Sequence, residues 1–221
     1  MADNGRSPRE RYREQVRDEI KAHAWTQVAT GASAPSLNAI AKRMGISGPA
    51  LYRYFRNRDE LITDLVLDAY RDLAATCRAA AAPGEPPRAR LTEVAVALRR
   101  WALATPHRYL LIFGTPVPGY SAPPEATTIA SSLMAVLVEA FAESATPARG
   151  PGGAAIFDAH LGGHQKWTGS RPATAGSLRR ALTFWTRLHG VVSLEIAGHF
   201  AGMGFDPGLL YATEVEAALT A

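Results

Sequence analysis

Cysteine and long apolar runs are scarce in this 221-residue sequence. Cys77 is its only cysteine, so one chain can build neither an internal disulfide nor a cysteine-based zinc site. The longest uncharged stretch, residues 109–124, is interrupted by four prolines, which excludes the roughly 18 consecutive apolar residues of a membrane span. The amino-terminal residues also lack the apolar segment of a secretory signal. We therefore expect a cytoplasmic protein that does not cross a membrane.

Acidic residues are missing from residues 27–58, a window that holds five cations: Lys42, Arg43, Arg53, Arg56 and Arg58. The whole chain shows the same division, because residues 1–60 carry 11 Lys and Arg against 7 Asp and Glu, whereas residues 61–221 carry 13 of each sign. This separation of charges is not expected for a surface that only contacts solvent, but it is expected for a surface that binds polyphosphate. The window therefore predicts a nucleic-acid site.

The common signatures of catalysis are missing as well. The sequence has no phosphate-cradling glycine loop and no pair of catalytic carboxylates. One pattern, Asp158-x-His160-x-x-x-His164, could bind zinc, because two histidines four residues apart on a helix share a face. Gly162 and Gly163 disfavour a helix there, and no glutamate follows the first histidine. We expect no enzyme activity, metal or cofactor, and keep two alternatives: a metal-dependent helical enzyme using these three residues, and a helical scaffold that does not bind DNA.

Two short helices joined by a glycine turn are predicted after a longer amphipathic helix over residues 9–28. Ser36 is a good N-cap for a helix over residues 37–44, and Gly45 stands where a left-handed residue would end it. A further helix, capped by Ser47, is expected to run to Tyr54. Three helices in this order predict a helix-turn-helix.

The sequence LYRYFR in the second short helix divides between core and surface. Leu51 and Phe55 lie four residues apart and are predicted to face the core, whereas Tyr52, Arg53 and Arg56 are predicted to face outward. Outward tyrosine and arginine side chains can bond phosphate oxygens. The small residues at the start of this helix would let it approach base edges closely.

The sequence SLNAIAKRMGISGPALYRYFRNRDELI, residues 36–62, resembles the DNA-binding signature of the TetR family of transcriptional regulators. It departs from the usual residues of that family at Ile46, which replaces Val, at Tyr54, which replaces His, and at Arg58, which replaces Lys. The resemblance implies that Tyr52 and residues 56–58 clamp the phosphate backbone. It implies further that the base-facing residues are Ser47, Pro49, Ala50 and Arg53.

The complete set of predicted DNA-binding residues adds further positions of both short helices to these two groups. The set is Ser36, Asn38, Lys42, Arg43, Ser47, Gly48, Pro49, Ala50, Tyr52, Arg53, Tyr54, Arg56 and Arg58.

The remainder of the chain is predicted to form a second, helical domain that associates with another copy. We expect a DNA-binding domain over residues 1–60, a linker helix over 59–81 and a ligand-binding and dimerisation domain over 82–221. The predicted helix near 177–200 is apolar over more than one face, and the helix near 206–220 is amphipathic. A single chain cannot easily bury all of these apolar faces, so two helices from each chain are predicted to form the core of a homodimer.

The sequence FWTRLHGVVSLEIAGHFAGMGFDPGLLY looks like the carboxy-terminal segment of a TetR subgroup whose regulatory domain is known by Trp-His-Gly residues, matched here by Trp185, His189 and Gly190. This resemblance implies a cavity for a small-molecule effector. The candidate effector-binding residues are Trp101, Tyr109, Phe113, Met134, Phe141, Trp185 and His189.

These observations predict an all-α protein with an N-terminal three-helix helix-turn-helix domain and a C-terminal helical ligand-binding and dimerisation domain. The expected function is that of a ligand-responsive repressor. It would bind a near-palindromic operator in double-stranded DNA as a homodimer, and a small apolar effector would release it.

Overall fold

The computed structural model describes residues 7–31, 34–144, 154–165, 167 and 173–220, and all regular elements in these ranges are helices. The helices are α1 (Pro8–Ala29), α2 (Leu37–Met44), α3 (Gly48–Leu51), α4 (Arg58–Ala80), α5 (Pro87–Ala104), α6 (Pro106–Phe113), α7 (Pro124–Glu143), α8 (Ala154–Gly162), α9 (Ala175–Ile196) and α10 (Pro207–Thr220). The all-α prediction is confirmed. The segment between residues 144 and 176, which is rich in glycine and proline, lies partly outside the described residues, and α8 forms within it.

The chain divides into two compact units. One unit comprises the residues up to Ala69 together with His107–Pro123, and the other comprises Tyr70–Pro106 together with the residues from Pro124 onward. The division falls inside α4, and α6 belongs almost entirely to the first unit. The domain boundaries predicted at residues 60 and 82 stay a prediction.

The first unit has its own apolar core, made by α1, α2, α3 and the start of α4. The buried residues of this core are Ile20, Ala24, Leu37, Ile40, Ala41, Leu51, Phe55, Leu61 and Leu65. Leu51 and Phe55 are fully buried, as their spacing predicted. Leu111 of α6 packs against the same core.

Caps and one left-handed glycine fix the geometry of the two short helices. The Ser36 and Ser47 hydroxyl oxygens accept the backbone N–H groups of Ala39 and Ala50, each at 3.3 Å. Gly45 has φ +66°, a conformation that costs most residues strain but suits glycine. The helix-turn-helix prediction is therefore confirmed in its caps and in its turn.

The second short helix is shorter than predicted. α3 ends at Leu51, and residues 52–54 form a turn instead of continuing the helix to Tyr54. Here the backbone hydrogen bonds join residues three apart, as in a 3₁₀-helix: the Tyr54 N–H donates to the Leu51 carbonyl oxygen at 2.8 Å. This turn carries the chain from α3 to the buried Phe55 and on to α4.

The second unit is built around α9, which packs against α5, α7, α8 and α10. Its buried side chains include Leu98, Leu137, Phe141, Phe184 and Leu188. α9 ends at Ile196, earlier than the predicted end at residue 200, since Gly198 adopts φ +78° in the turn that follows.

α7 is long and apolar enough to cross a membrane when judged by length and composition alone. In the structure it packs against α5 and α9. Its residues Leu133, Leu137 and Phe141 are buried within the second unit. These contacts are typical of a core helix in a globular domain.

Candidate nucleic-acid interface and effector residues

The cations of the acid-free window lie on the surface of the first unit. Lys42, Arg43 and Arg53 are exposed, and no ion pair involves any of them within the part of the chain that the structure describes. The other two cations of the window are also exposed but have acidic neighbours, since Nε of Arg56 lies 3.3 Å from Glu60 and Nε of Arg58 lies 3.9 Å from Asp59. Cations that are exposed and not neutralised by a neighbouring carboxylate can meet a phosphate backbone without first breaking an internal ion pair.

The first turn of α3 presents the small residues predicted to face bases. Ser47 and Pro49 are exposed, and Gly48 and Ala50 are half-buried. A β-carbon built on Gly48 would lie 3.9 Å from Oδ1 of Asn38, so this side chain of α2 borders the start of α3. A helix start with short side chains can enter a groove more deeply than one with long side chains.

Several of the predicted DNA-binding residues line a single groove of about 380 Å³. Ser36, Asn38, Tyr52 and Arg58 line it, together with Asn57. Donors from hydroxyl, amide and guanidinium groups thus surround one concave surface, a combination that suits a phosphate group.

Asn57 belongs to the segment 56–58 predicted to clamp phosphate, but it was not named among the predicted DNA-binding residues. Its Oδ1 accepts the backbone N–H of Glu60 at 2.8 Å, so it caps the start of α4 while it lines the groove. The sequence carried a signal for this role, because Asn57 and Glu60 have the spacing of a capping box.

Arg56 is the one predicted phosphate contact tied to a nearby acid by both its backbone and its side chain. The Glu60 carboxylate accepts the Arg56 backbone N–H at 2.8 Å and the Arg56 Nε–H at 3.3 Å. Burial opposes the charged form of Glu60, but the bonds and charges of Arg56 and Arg17 outweigh it, so the pKa of Glu60 lies below its usual value. Glu60 is therefore held as a carboxylate at neutral pH.

Tyr54 differs from the other predicted DNA-binding residues because its side chain is half-buried and packs against the core of the first unit. Its carbonyl oxygen accepts a hydrogen bond from the guanidinium of Arg17 on α1. Tyr54 thus contributes to packing in addition to any contact with DNA.

Five of the seven predicted effector residues lie in the second unit, and most of them are buried. Trp101 donates its indole N–H to Oδ2 of Asp72 at 2.9 Å. The rings of Trp185 and His189 lie 4.1 Å apart between centroids. The remaining two, Met134 and Phe141, are buried, and the ring of Phe141 packs edge-on to that of Phe184.

Burial gives His189 an unusual proton affinity. It lowers the pKa of the imidazole from 6.5 to about 4, so the side chain is neutral at physiological pH. A neutral imidazole beside an indole ring offers a polar group in apolar surroundings, as small-molecule sites often do.

The other two predicted effector residues, Tyr109 and Phe113, lie on α6 in the first unit, with ring centroids 5.2 Å apart. Tyr109 is almost completely buried, which raises the pKa of its hydroxyl to about 12.

A groove that the sequence did not predict lies between α5 and α10, with a volume of about 450 Å³. The described residues that line it are Thr92, Val96, Arg99, Arg100, Leu103, Gly208, Tyr211, Ala212, Val215 and Glu216, and none of them belongs to the predicted effector set. Val96 and Leu103 are 40% and 39% exposed and lie seven residues apart on α5. Their spacing places both on one helix face, a signal that the sequence did contain.

The pattern considered for zinc has other partners. Asp158 forms an ion pair with Nε of Arg179 at 2.9 Å. The His160 and His164 rings stack with centroids 4.2 Å apart. Within the described ranges no group of three potential metal ligands occurs.

Comparison with known proteins agrees with this geometry. Residues 28–65 match the family described as bacterial regulatory proteins, tetR family, and residues 91–218 match the tetracyclin repressor-like C-terminal domain. The HTH-type transcriptional regulator Rv1816 of Mycobacterium tuberculosis is 33% identical over 191 residues, which cover 82% of this chain and 80% of that protein.

Solved structures share the fold. That of the protein SCO4313 is 59% identical, with a TM-score of 0.86 over 97% of this chain and 100% of that one. The TetR family transcriptional regulator PfmR from Thermus thermophilus is 16% identical, with a TM-score of 0.56 over 91% of this chain and 96% of that one.

The metal-dependent enzyme considered from the sequence is set aside by these matches, because the family and its named relatives are regulators and not enzymes. The matched segments include both the helix-turn-helix and most of the second unit. The chain therefore belongs to the TetR family of transcriptional regulators.

Proposed function

We propose that the protein is a cytoplasmic repressor that binds a near-palindromic operator as a homodimer and leaves it when a small apolar effector binds. The observation that carries this proposal is the exposed cationic surface around α2 and α3, in a window of the chain that contains no acidic residue. Counterion release from DNA favours binding to such a surface, whereas a scaffold has no use for it.

The start of α3 would lie in the major groove, with Ser47, Pro49, Ala50 and Arg53 facing bases. Tyr52, Arg56 and Arg58 would contact phosphates on either side. In a two-fold dimer the two copies of α3 would lie about 34 to 36 Å apart, or a related distance, to read equivalent half-sites.

α9 and α10 would supply the dimer core. Both carry apolar side chains that the single chain leaves exposed: Leu194 is 44% exposed and Leu209 is 69% exposed. The connection between these helices adds Met203 and Phe205, which are 64% and 43% exposed. Apolar surface of this extent on two adjacent helices supports a partner helix pair.

The effector would bind among the predicted effector residues of the second unit, with Trp185 and His189 as its central contacts. α4 runs through both compact units, so a shift of this helix on binding would reach the DNA-binding surface. A coupling free energy of about 1 to 3 kcal/mol would be enough to relieve repression.

Selection of bound fragments from random duplexes tests the proposal. The enriched sequences are expected to contain two similar half-sites in inverted orientation, with centres about 10 base pairs or a multiple of that apart. Repeating the selection with a panel of apolar compounds should identify those that reduce recovery. An absence of any enriched sequence would overturn operator recognition, and recovery unaffected by the whole panel would overturn effector release.

A further inference from the structure

Arg17 on α1 contacts the last residue of the turn that follows α3 and residues after that turn. Its Nη2 lies 2.6 Å from Oδ2 of Asp64, and its Nη1 donates to the Tyr54 carbonyl oxygen and lies 3.7 Å from Oε1 of Glu60. The centre of the guanidinium lies 4.1 Å above the ring of Phe55. One side chain thus joins α1, the turn after α3 and the first two turns of α4.

The partners of Arg17 are groups that fix the DNA-binding segment. The Tyr54 carbonyl belongs to the turn that carries Tyr52, and Glu60 uses its other carboxylate oxygen to hold the backbone and side chain of Arg56. Because a planar guanidinium presents its donors in fixed directions, binding several acceptors together sets their relative positions.

We propose that Arg17 is a positioning residue for DNA binding, which holds residues 52–56 in the conformation that contacts phosphate without touching DNA itself. The inference rests on the proposed function and goes beyond it, since Arg17 lies outside the predicted DNA-binding set. Its side chain is only 24% exposed, and its donors are directed at acceptors within the protein.

Lys21 provides a matched control one helical turn further along α1. Its Nζ lies 2.9 Å from Oδ2 of Asp68 on α4 and 3.0 Å from Oδ1 of Asp18, and its side chain is 18% exposed. Arg17 and Lys21 therefore both bridge α1 to α4 from partly buried positions. The contacts described for Lys21 involve α1 and α4 and none of residues 52–56.

The experiment compares Arg17→Gln, Arg17→Lys and Lys21→Gln by fluorescence anisotropy, with the selected operator duplex titrated at four salt concentrations. Arg17→Gln should weaken binding on the order of tenfold or more at every salt concentration. The slope of log K against log salt should not change, because the same phosphate contacts form in the complex and only the free-energy cost of ordering residues 52–56 increases. Arg17→Lys should weaken binding as much as Arg17→Gln, since lysine keeps the positive charge but lacks the several N–H donors that the guanidinium holds in fixed directions. Lys21→Gln should bind within about twofold of wild type.

Thermal unfolding and amide hydrogen exchange of the free proteins complete the test. Arg17→Gln and Lys21→Gln should lower Tm by similar amounts, but only Arg17→Gln should speed exchange at Phe55 and Arg56. Wild-type affinity in Arg17→Gln, an equal loss in Lys21→Gln, or a salt slope reduced by about one would each overturn the positioning role. If the wild type itself binds no duplex, the proposed function fails and this inference fails with it.

Discussion

His189 is a half-buried residue whose imidazole should affect the stability of the whole protein. Its pKa is lowered from 6.5 to about 4 in the folded state, so between these values the unfolded chain binds a proton that the folded chain does not. The free energy of unfolding is therefore not reduced by this group above pH 6.5, and it decreases as the pH falls towards 4. We expect a loss of about 2 kcal/mol in the free energy of unfolding between pH 7 and pH 5.

Urea denaturation at a fixed protein concentration measures this loss. His189→Phe keeps a ring of similar size and should remove most of the dependence over this range, whereas His199→Gln, at an exposed position, should keep it. An identical pH dependence in wild type and His189→Phe would show that the imidazole is not buried as described.

Base contacts and phosphate contacts should respond differently to single substitutions. Arg53→Ala should weaken binding unevenly across a set of operator variants, by about 1 to 3 kcal/mol at the base that it reads. Tyr52→Phe and Arg56→Ala should weaken binding to all sequences alike, and Arg56→Ala should also reduce the salt slope by about one.

Competition binding against single-base operator variants distinguishes these effects, with Arg11→Ala as a control cation outside the predicted interface. Equal losses from all three substitutions on every sequence would refute the division of roles.

At the scale of elements, the turn between α2 and α3 depends on the conformation of Gly45. A β-carbon at this position would meet no atom within 4 Å, so a larger residue is penalised by its backbone angle and not by a clash. Gly45→Ala should reduce the free energy of unfolding by about 1 to 2 kcal/mol, because alanine tolerates left-handed angles poorly. Gly45→Asn should cost less, since asparagine adopts this conformation more readily.

Chemical denaturation of the two variants beside wild type measures the difference. If alanine and asparagine cost the same amount, or if neither costs anything, the turn does not require a left-handed residue.

Local signals predicted most of the helices, and long-range contacts explain what they missed. Ser36, Gly45 and Ser47 act within three residues of themselves, so the limits of α2 and the start of α3 could be predicted from the sequence. The early end of α3 could not, because the following turn is bonded by Arg17, which lies 37 residues away from Tyr54 in the chain.

At the scale of the whole molecule, the inclusion of α6 in the first unit also depends on long-range contacts that could not be predicted from the sequence. The ring of His107 packs edge-on to that of Trp25, with centroids 5.6 Å apart, and Arg108 lies over the same indole. A contact between residues about 80 positions apart produces no periodic pattern in the sequence of either segment, so it could not be predicted. The acid-free window was nevertheless detectable from the sequence, because a set of exposed cations depends on composition more than on long-range packing.

Association between copies should depend on the exposed apolar residues of α10. Leu209→Glu should convert the dimer to monomer and greatly weaken operator binding, because the substitution places a charge in a predicted apolar interface. Ile156→Glu is a matched control: Ile156 is 81% exposed but lies on α8, outside the predicted interface. Sedimentation velocity gives the oligomeric state of each variant. A dimer that survives Leu209→Glu but dissociates in Ile156→Glu would place the interface on α8.

The most direct test of the account is the sedimentation of wild-type protein with a labelled operator duplex over a range of salt concentrations. Two chains are expected on each duplex. The logarithm of the affinity should fall linearly with the logarithm of the salt concentration, with a slope that reflects several phosphate contacts. A single-chain species that leaves the duplex unbound even at about 50 mM salt would contradict it.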